Sequence, residues 1–220
     1  IRAGQVDEGY FQYQGALAPT APANASSISL YFNVQNAELA YQPDWPQLRN
    51  ANGEVLIDER GVRIQVSQGQ ILNSQLSAVA VNIPTPAKGQ VMHLALEGAL
   101  QSSVVDALQI LQEAPIGTQS TFAGWQGQGP LSGKLKLDIP LAGTGTPLVQ
   151  VDFATEGAQL KISEPALSLT QLKGAFRFNS ASGLSAPDVR AQVFGRPVRA
   201  KIVAEGARGR EADTDPAAVT

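Results

Sequence analysis

The sequence predicts a mainly β fold of antiparallel strands, with a short helical pair inserted near residues 102–127. Three observations carry that prediction. Apolar and polar residues alternate with a period of two, turn signals fall between the alternating runs, and one β-rich unit is stated twice. Val62, Ile64 and Val66 alternate with Arg63 and Gln65, and Leu135, Leu137, Ile139 and Leu141 alternate with Lys134, Lys136 and Asp138. Leu160 and Ile162 flank Lys161, and Phe176 and Phe178 flank Arg177. Each such run has one dry and one wet face. Turn punctuation falls at Pro43-Asp44, Asn52-Gly53, Arg60-Gly61, Lys88-Gly89, Gly143 to Gly145 and Ser182-Gly183. Spacings of roughly 8 to 12 residues between turns suit an antiparallel meander.

The chain opens on Ile1 inside a strand-like pattern, and residues 1–19 are expected to be the end of a preceding β unit and a linker, with Ala18 to Pro22 as the linker proper. The first β unit spans 20–100. Its markers are Phe32, Ala37, Leu39, Leu48, Gly53, Val55, Ile57, Gly61, Gln70 and Leu76. They return as Phe153, Ala158, Leu160, Leu169, Gly174, Phe176, Phe178, Gly183, Gln192 and Val198 in a second unit spanning 131–205. Phe32 and Phe153 are offset by 121 residues, Gly61 and Gly183 by 122. A repeated β unit argues for an array that extends a surface and against a single catalytic pocket. Asn73 aligns with Gly195, and both residue types tolerate positive φ, so a bulge or tight bend is expected there in each unit.

Between the units lies a helical insertion, 101–130. Val104, Val105, Leu108 and Leu111 fall at helical spacing, Ser102 or Ser103 can cap the first turn, and Pro115 ends the last. A second short helix is expected around Thr118 to Trp125. The pair either covers one mouth of a cavity or serves only as a packed crossover. Residues 206–220 read as a disordered acidic tail.

At 43% hydrophobic the chain can bury a sizeable core. A net charge of −3, with no basic stripe interleaved with aromatics, disfavours nucleic acid as a partner. The chain has no cysteine, which removes disulfides and thiolate chemistry together. No run of about 20 apolar residues is present to span a bilayer as a helix.

Chemistry-bearing clusters are missing from the sequence. His93 is the one histidine and reads as a strand residue on a polar or partly buried face. Asp7-Glu8 and Asp58-Glu59 are adjacent carboxylates at strand ends, which point to opposite faces and read as solvated turn residues. Gly124 to Gly129 lacks the Lys-Ser/Thr of a phosphate loop and reads as a turn. Asn24-Ala-Ser26 fits a glycosylation sequon. The expectation is therefore no enzyme, no cofactor and no metal site.

Apolar surface remains. One helical pair cannot cover more than a dozen strand-like segments, so the dry faces are left to pack as a sandwich, close as a barrel or line an open trough. Periodicity alone does not separate the three.

The run Tyr41 to Leu48 with Trp45-Pro46, then Gly53 to Ile57, Gly61 to Ile64 and Gly69 to Ile71, resembles the central region of the YhdP family, within the AsmA-like group to which TamB is related. The resemblance continues through the helical stretch ending at Pro115, through Ala123 to Leu141, and through Leu172 to Phe178, covering roughly 5–205. It implies a long, curved antiparallel sheet forming an open, taco-like trough in the periplasmic part of an inner-membrane-anchored envelope protein of Gram-negative bacteria. It further implies that phospholipid or another acyl-chain lipid is carried between inner and outer membranes, in support of the outer-membrane barrier, with further repeats of the same chain as neighbours. On that footing Val55, Ile57, Val62, Ile64, Val66, Leu135, Leu137, Ile139, Leu160, Ile162, Phe176 and Phe178 are expected to line the groove. Arg63, Lys134, Lys136, Lys161 and Arg177 are expected to face water. Two other readings stay open: a periplasmic scaffold or chaperone for outer-membrane proteins, which would offer an exposed strand edge, and a structural β-sandwich, whose carbohydrate-binding form would cluster aromatics on a wet face.

Overall fold

Alternation becomes a single sheet. The computed structural model describes residues 2–15, 26–40, 45–142 and 145–204. Its strands are β1 (Ala3–Gly15), β2 (Ser26–Leu39), β3 (Leu48–Asp58), β4 (Gly61–Ile71), β5 (Ser74–Pro84), β6 (His93–Ser103), β7 (Gln126–Gln128), β8 (Pro130–Pro140), β9 (Leu148–Ile162), β10 (Leu167–Asn179), β11 (Gly183–Val193) and β12 (Arg196–Ile202). They pair antiparallel in chain order, except that β8 follows β6 and the short β7 prolongs β8 along β9. The ends, β1 and β12, do not meet. The sheet is therefore open, and neither sandwich nor barrel describes it.

Register fixes the two faces. Cross-strand partners share a face, and one row runs Phe32, Val55, Ile64, Val81, Leu96, Leu137, Val149 across β2 to β9. The next rows hold Leu30, Ile57, Val62 and Ile83, and Leu135, Val151, Phe178 and Leu184. Neighbouring positions on the opposite face are mostly polar or charged, among them Asn33, Glu54, Gln65, Glu97, Lys136 and Gln150, with Leu56 and Leu148 as apolar exceptions.

Bulges keep the rows intact. In β9 the apolar positions are odd through Val149, Val151 and Phe153 but even from Ala158 to Ile162. The change of parity occurs at Gly157, whose φ of 146° suits glycine, and where the register against β10 slips by one residue. An extra residue in one strand re-aims the side chains after it and bends the strand. Asn36, 121 residues earlier, has φ 50° and does the same between Val34 and Ala37 in β2. Asn50 in β3 and Gln171 in β10, again 121 apart, have φ 51° and 50°. The sequence repeat is thus a structural one, β2–β5 against β9–β12, sharing its irregular backbone as well as its apolar residues.

One sequence expectation is met here and one shifts. Asn73 and Gly195 lie in the tight β4–β5 and β11–β12 turns, but the left-handed residue common to both units is the preceding one, Leu72 (φ 54°) and Phe194 (φ 50°). Gly124 to Gly129 opens as a turn, then enters strand β7, because Gln126–Gln128 find free backbone groups on the second half of β9. The expected linker at Ala18 to Pro22 and the tail beyond 204 lie outside the described residues.

Between β6 and β7 are helices α1 (Val104–Glu113) and α2 (Gln119–Phe122). Ser103 caps α1, its Oγ accepting from the Asp106 N–H at 3.1 Å. Val104, Leu108 and Phe122 pack on Leu131, Ala158, Leu172 and Phe176 of the apolar face, forming the larger buried cluster. A smaller one gathers on Leu76, Val79 and Val81.

Candidate functional site

The candidate site is the apolar face and the space beneath α1. All twelve residues expected to line a groove lie on that one face, by register. Their surroundings differ. Val55, Val62, Ile64, Val66, Leu135 and Leu137 are half-buried, with Ile64, Val66 and Leu135 packed against the Leu76 cluster, and Ile57 is exposed. Phe176 is buried under the α1 cluster, stacked on Phe153 with ring centroids 5.1 Å apart, and Leu160 packs at its margin. Ile139 and Phe178 are buried, and Ile162 is half-buried.

A cavity of about 160 Å³ lies between α1 and the sheet. Its roof is Ala107, Ile110, Leu111 and Ile116, joined by Trp45 and Pro46 from the β2–β3 connection. Its floor includes Ile71, Leu76, Leu100, Leu135, Leu137, Val149, Val151 and Phe178. Ile71 is on β4 and Phe178 on β10, five strand steps apart. That is about 24 Å along a flat sheet at ~4.8 Å per step. One small cavity touches both only because the sheet curls toward α1.

Several of these residues escaped the sequence reading. Leu76, Leu100, Val149, Val151 and Phe153 belong to the same apolar rows, but it is pairing between strands distant in sequence that brings them to the cavity. Asp106 was also missed. It is 2% exposed, and its carboxylate accepts from the Asn73 N–H (3.0 Å), the Asn73 Nδ2–H (3.1 Å) and the Ser74 hydroxyl (2.8 Å). An acidic residue in the first turn of an apolar helix was the available signal; its partners, more than thirty positions away, were not.

The opposite face is polar. Lys134, Lys136, Lys161 and Arg177 are exposed on it, and Arg63 is half-buried against its partner. Opposite charges meet across strands: Lys136 with Glu97 at 3.2 Å, Lys173 with Glu156 at 3.6 Å, Arg177 with Asp152. The Arg177 hydrogen bond, aided by Gln150, holds the Asp152 carboxyl below the usual carboxylate range, and Arg199 and Arg190 do the same for Asp188. Asp58 departs from the solvated turn residue expected. Its side chain is one-tenth exposed and accepts from Arg63 at 2.6 Å, the main cause of its lowered pKa. His93 is on this face, its Nδ1 2.6 Å from Asp138 Oδ1. Among the described residues no group of three or more His, Cys, Asp or Glu is placed to hold a metal ion, and no helix is long and apolar enough to cross a membrane.

An open, curled antiparallel sheet built from a duplicated unit, oily on its inner side and ion-paired on its outer side, defines a β-trough repeat protein. The family model described as YhdP protein matches residues 1–215, and the chain belongs to that family. It is 26% identical over 216 residues, 94% of its length, to the intermembrane phospholipid transporter YhdP of Escherichia coli strain K12. It spans 16% of that relative's length. No solved structure matches.

Proposed function

We propose that the apolar face is part of a groove along which phospholipid acyl chains pass between the inner and outer membranes, in a periplasmic section of an inner-membrane-anchored protein that supports the outer-membrane barrier. The observation that carries this reading is the continuity of the apolar rows across β2 to β10, opposed by an ion-paired outer face, in a chain similar to a phospholipid transporter. Each methylene withdrawn from water is worth about 0.8 kcal/mol. A chain moving along such rows exchanges one dry contact for another, and no residue needs to hold it tightly. Headgroups stay in water at the rim and avoid desolvation. On this reading Val55, Ile57, Val62, Ile64, Val66, Leu135 and Leu137 form the wall that lipid touches, Phe178 is reached only through the cavity, and Ile139 packs behind the wall. Phe176, Leu160 and Ile162 shape the ground beneath and beside α1.

Photo-crosslinking from the intact protein in cells tests the proposal. A photoreactive residue at Ile64 or Leu137 should yield lipid adducts, and one at Arg63 or Lys136 should not. Equal labelling of both faces, or adducts to outer-membrane proteins in place of lipid, would overturn it.

A further inference from the structure

We propose that the cavity under α1 is a binding site for a single acyl chain, a place where the trough narrows to the width of one hydrocarbon tail. This deepens the groove reading and rests on it.

The cavity's floor is the trough's floor. Leu135, Leu137 and Val151 belong both to the open apolar rows and to the cavity lining, so a tail lying along the rows enters without crossing a polar barrier. Two of the serines at the cavity wall, Ser74 and Ser102, are already engaged, their hydroxyl oxygens 2.7 Å apart and Ser74 bound to Asp106. The site therefore offers carbon and little else, which suits a hydrocarbon and disfavours a headgroup or a sugar.

Size sets the stoichiometry. An engineered apolar cavity of about 150 Å³ takes one benzene, and this one measures about 160 Å³. Room on that scale suits a segment of a single hydrocarbon chain. A phospholipid passing here places one tail under the roof while the other lies in the open part of the trough.

The roof is held in place. Asp106 ties the first turn of α1 to Asn73 and Ser74 in the β4–β5 turn, and Val104 and Leu108 pack α1 onto β8–β11. Ala107 is the small residue on the cavity side of the helix, and the space exists where a larger side chain would sit.

The test uses the intact protein loaded with phosphatidylethanolamine that has a diazirine midway along one acyl chain, followed by irradiation and peptide mapping. Adducts are expected on Ile110 or Leu111 as well as on β3, β4 and β8, with exposed Val105 unlabelled. Ala107→Phe should abolish the α1 adducts and reduce lipid passage several-fold, whereas Val105→Phe should change neither. Adducts on β3 and β4 with none on α1 would overturn the single-chain site and leave the groove standing. Equal labelling of Val105 and Ile110 would overturn it as well, and no adducts on any strand would remove the groove reading and this site together.

Discussion

Asp106 is the residue at which a polar group fixes an apolar structure. Its carboxylate is the acceptor for three donors from the β4–β5 turn. Asp106→Ala removes the acceptor of the buried Ser74 hydroxyl and of two Asn73 donors and should lower stability by about 1–3 kcal/mol. Asp106→Asn keeps one acceptor oxygen and should cost less; chemical denaturation of both variants checks the order. The outer ion pairs act through pH. Asp58, Asp152 and Asp188 have depressed folded-state pKa values, so the stability they contribute is fully present above the ordinary carboxylate range and is lost as pH falls through and below it. The thermal midpoint should be level from neutral pH down to that range and then drop. Arg177→Gln should flatten part of the drop, and an unchanged acid limb would contradict the assignment.

At the scale of the element, the bulged strand and the capped helix carry the architecture. Gly157 and Asn36 occupy the same place in the two units, each at positive φ, and each restores the apolar side to the interior after the strand bends. Asn36→Gly should be nearly neutral, whereas Asn36→Val forces a β-branched residue into the left-handed region at about 1–2 kcal/mol. Calorimetric midpoints of the two variants separate these outcomes. In α1, Leu108→Ala should cost about 2–4 kcal/mol, because Leu108 sits in the larger core cluster. Val105→Ala, on the exposed side, should fall within about 0.5 kcal/mol of wild type. These elements also show what was legible beforehand. Strands such as Gly61–Ile71 and Pro130–Pro140 were evident because local alternation is a property of neighbouring residues. Helix α1 was evident from its Ser103 cap and Pro115 stop. The membership of Leu76 and Val79 in one face was not, since an out-of-register residue at Ala78 (φ 48°) lies between them and only pairing with β6 reveals it.

For the whole molecule, the decisive property is that the sheet does not close. Periodicity gave three ways to cover an oily face. The choice among them depends on whether β1 finds β12, a contact between the two ends of the chain that no local pattern encodes. The cavity beneath α1 was illegible for the same reason, since its lining comes from β4 through β10, from α1 and from Trp45. Duplication with shared bulges explains how such a sheet grows: each unit adds strands of the same curvature to the edge of the last, and the dry side stays continuous. The proposed function requires that this dry side border lipid and not other protein. The most direct measurement is phospholipid transfer by the intact protein bearing Ile64→Asp, made beside its thermal midpoint. Transfer should stop while the fold persists, because a charge on a trough wall meets water when lipid is absent. Continued transfer by the folded variant would contradict the proposed function, and so would collapse of the fold, which would mean that Ile64 belongs to a closed core.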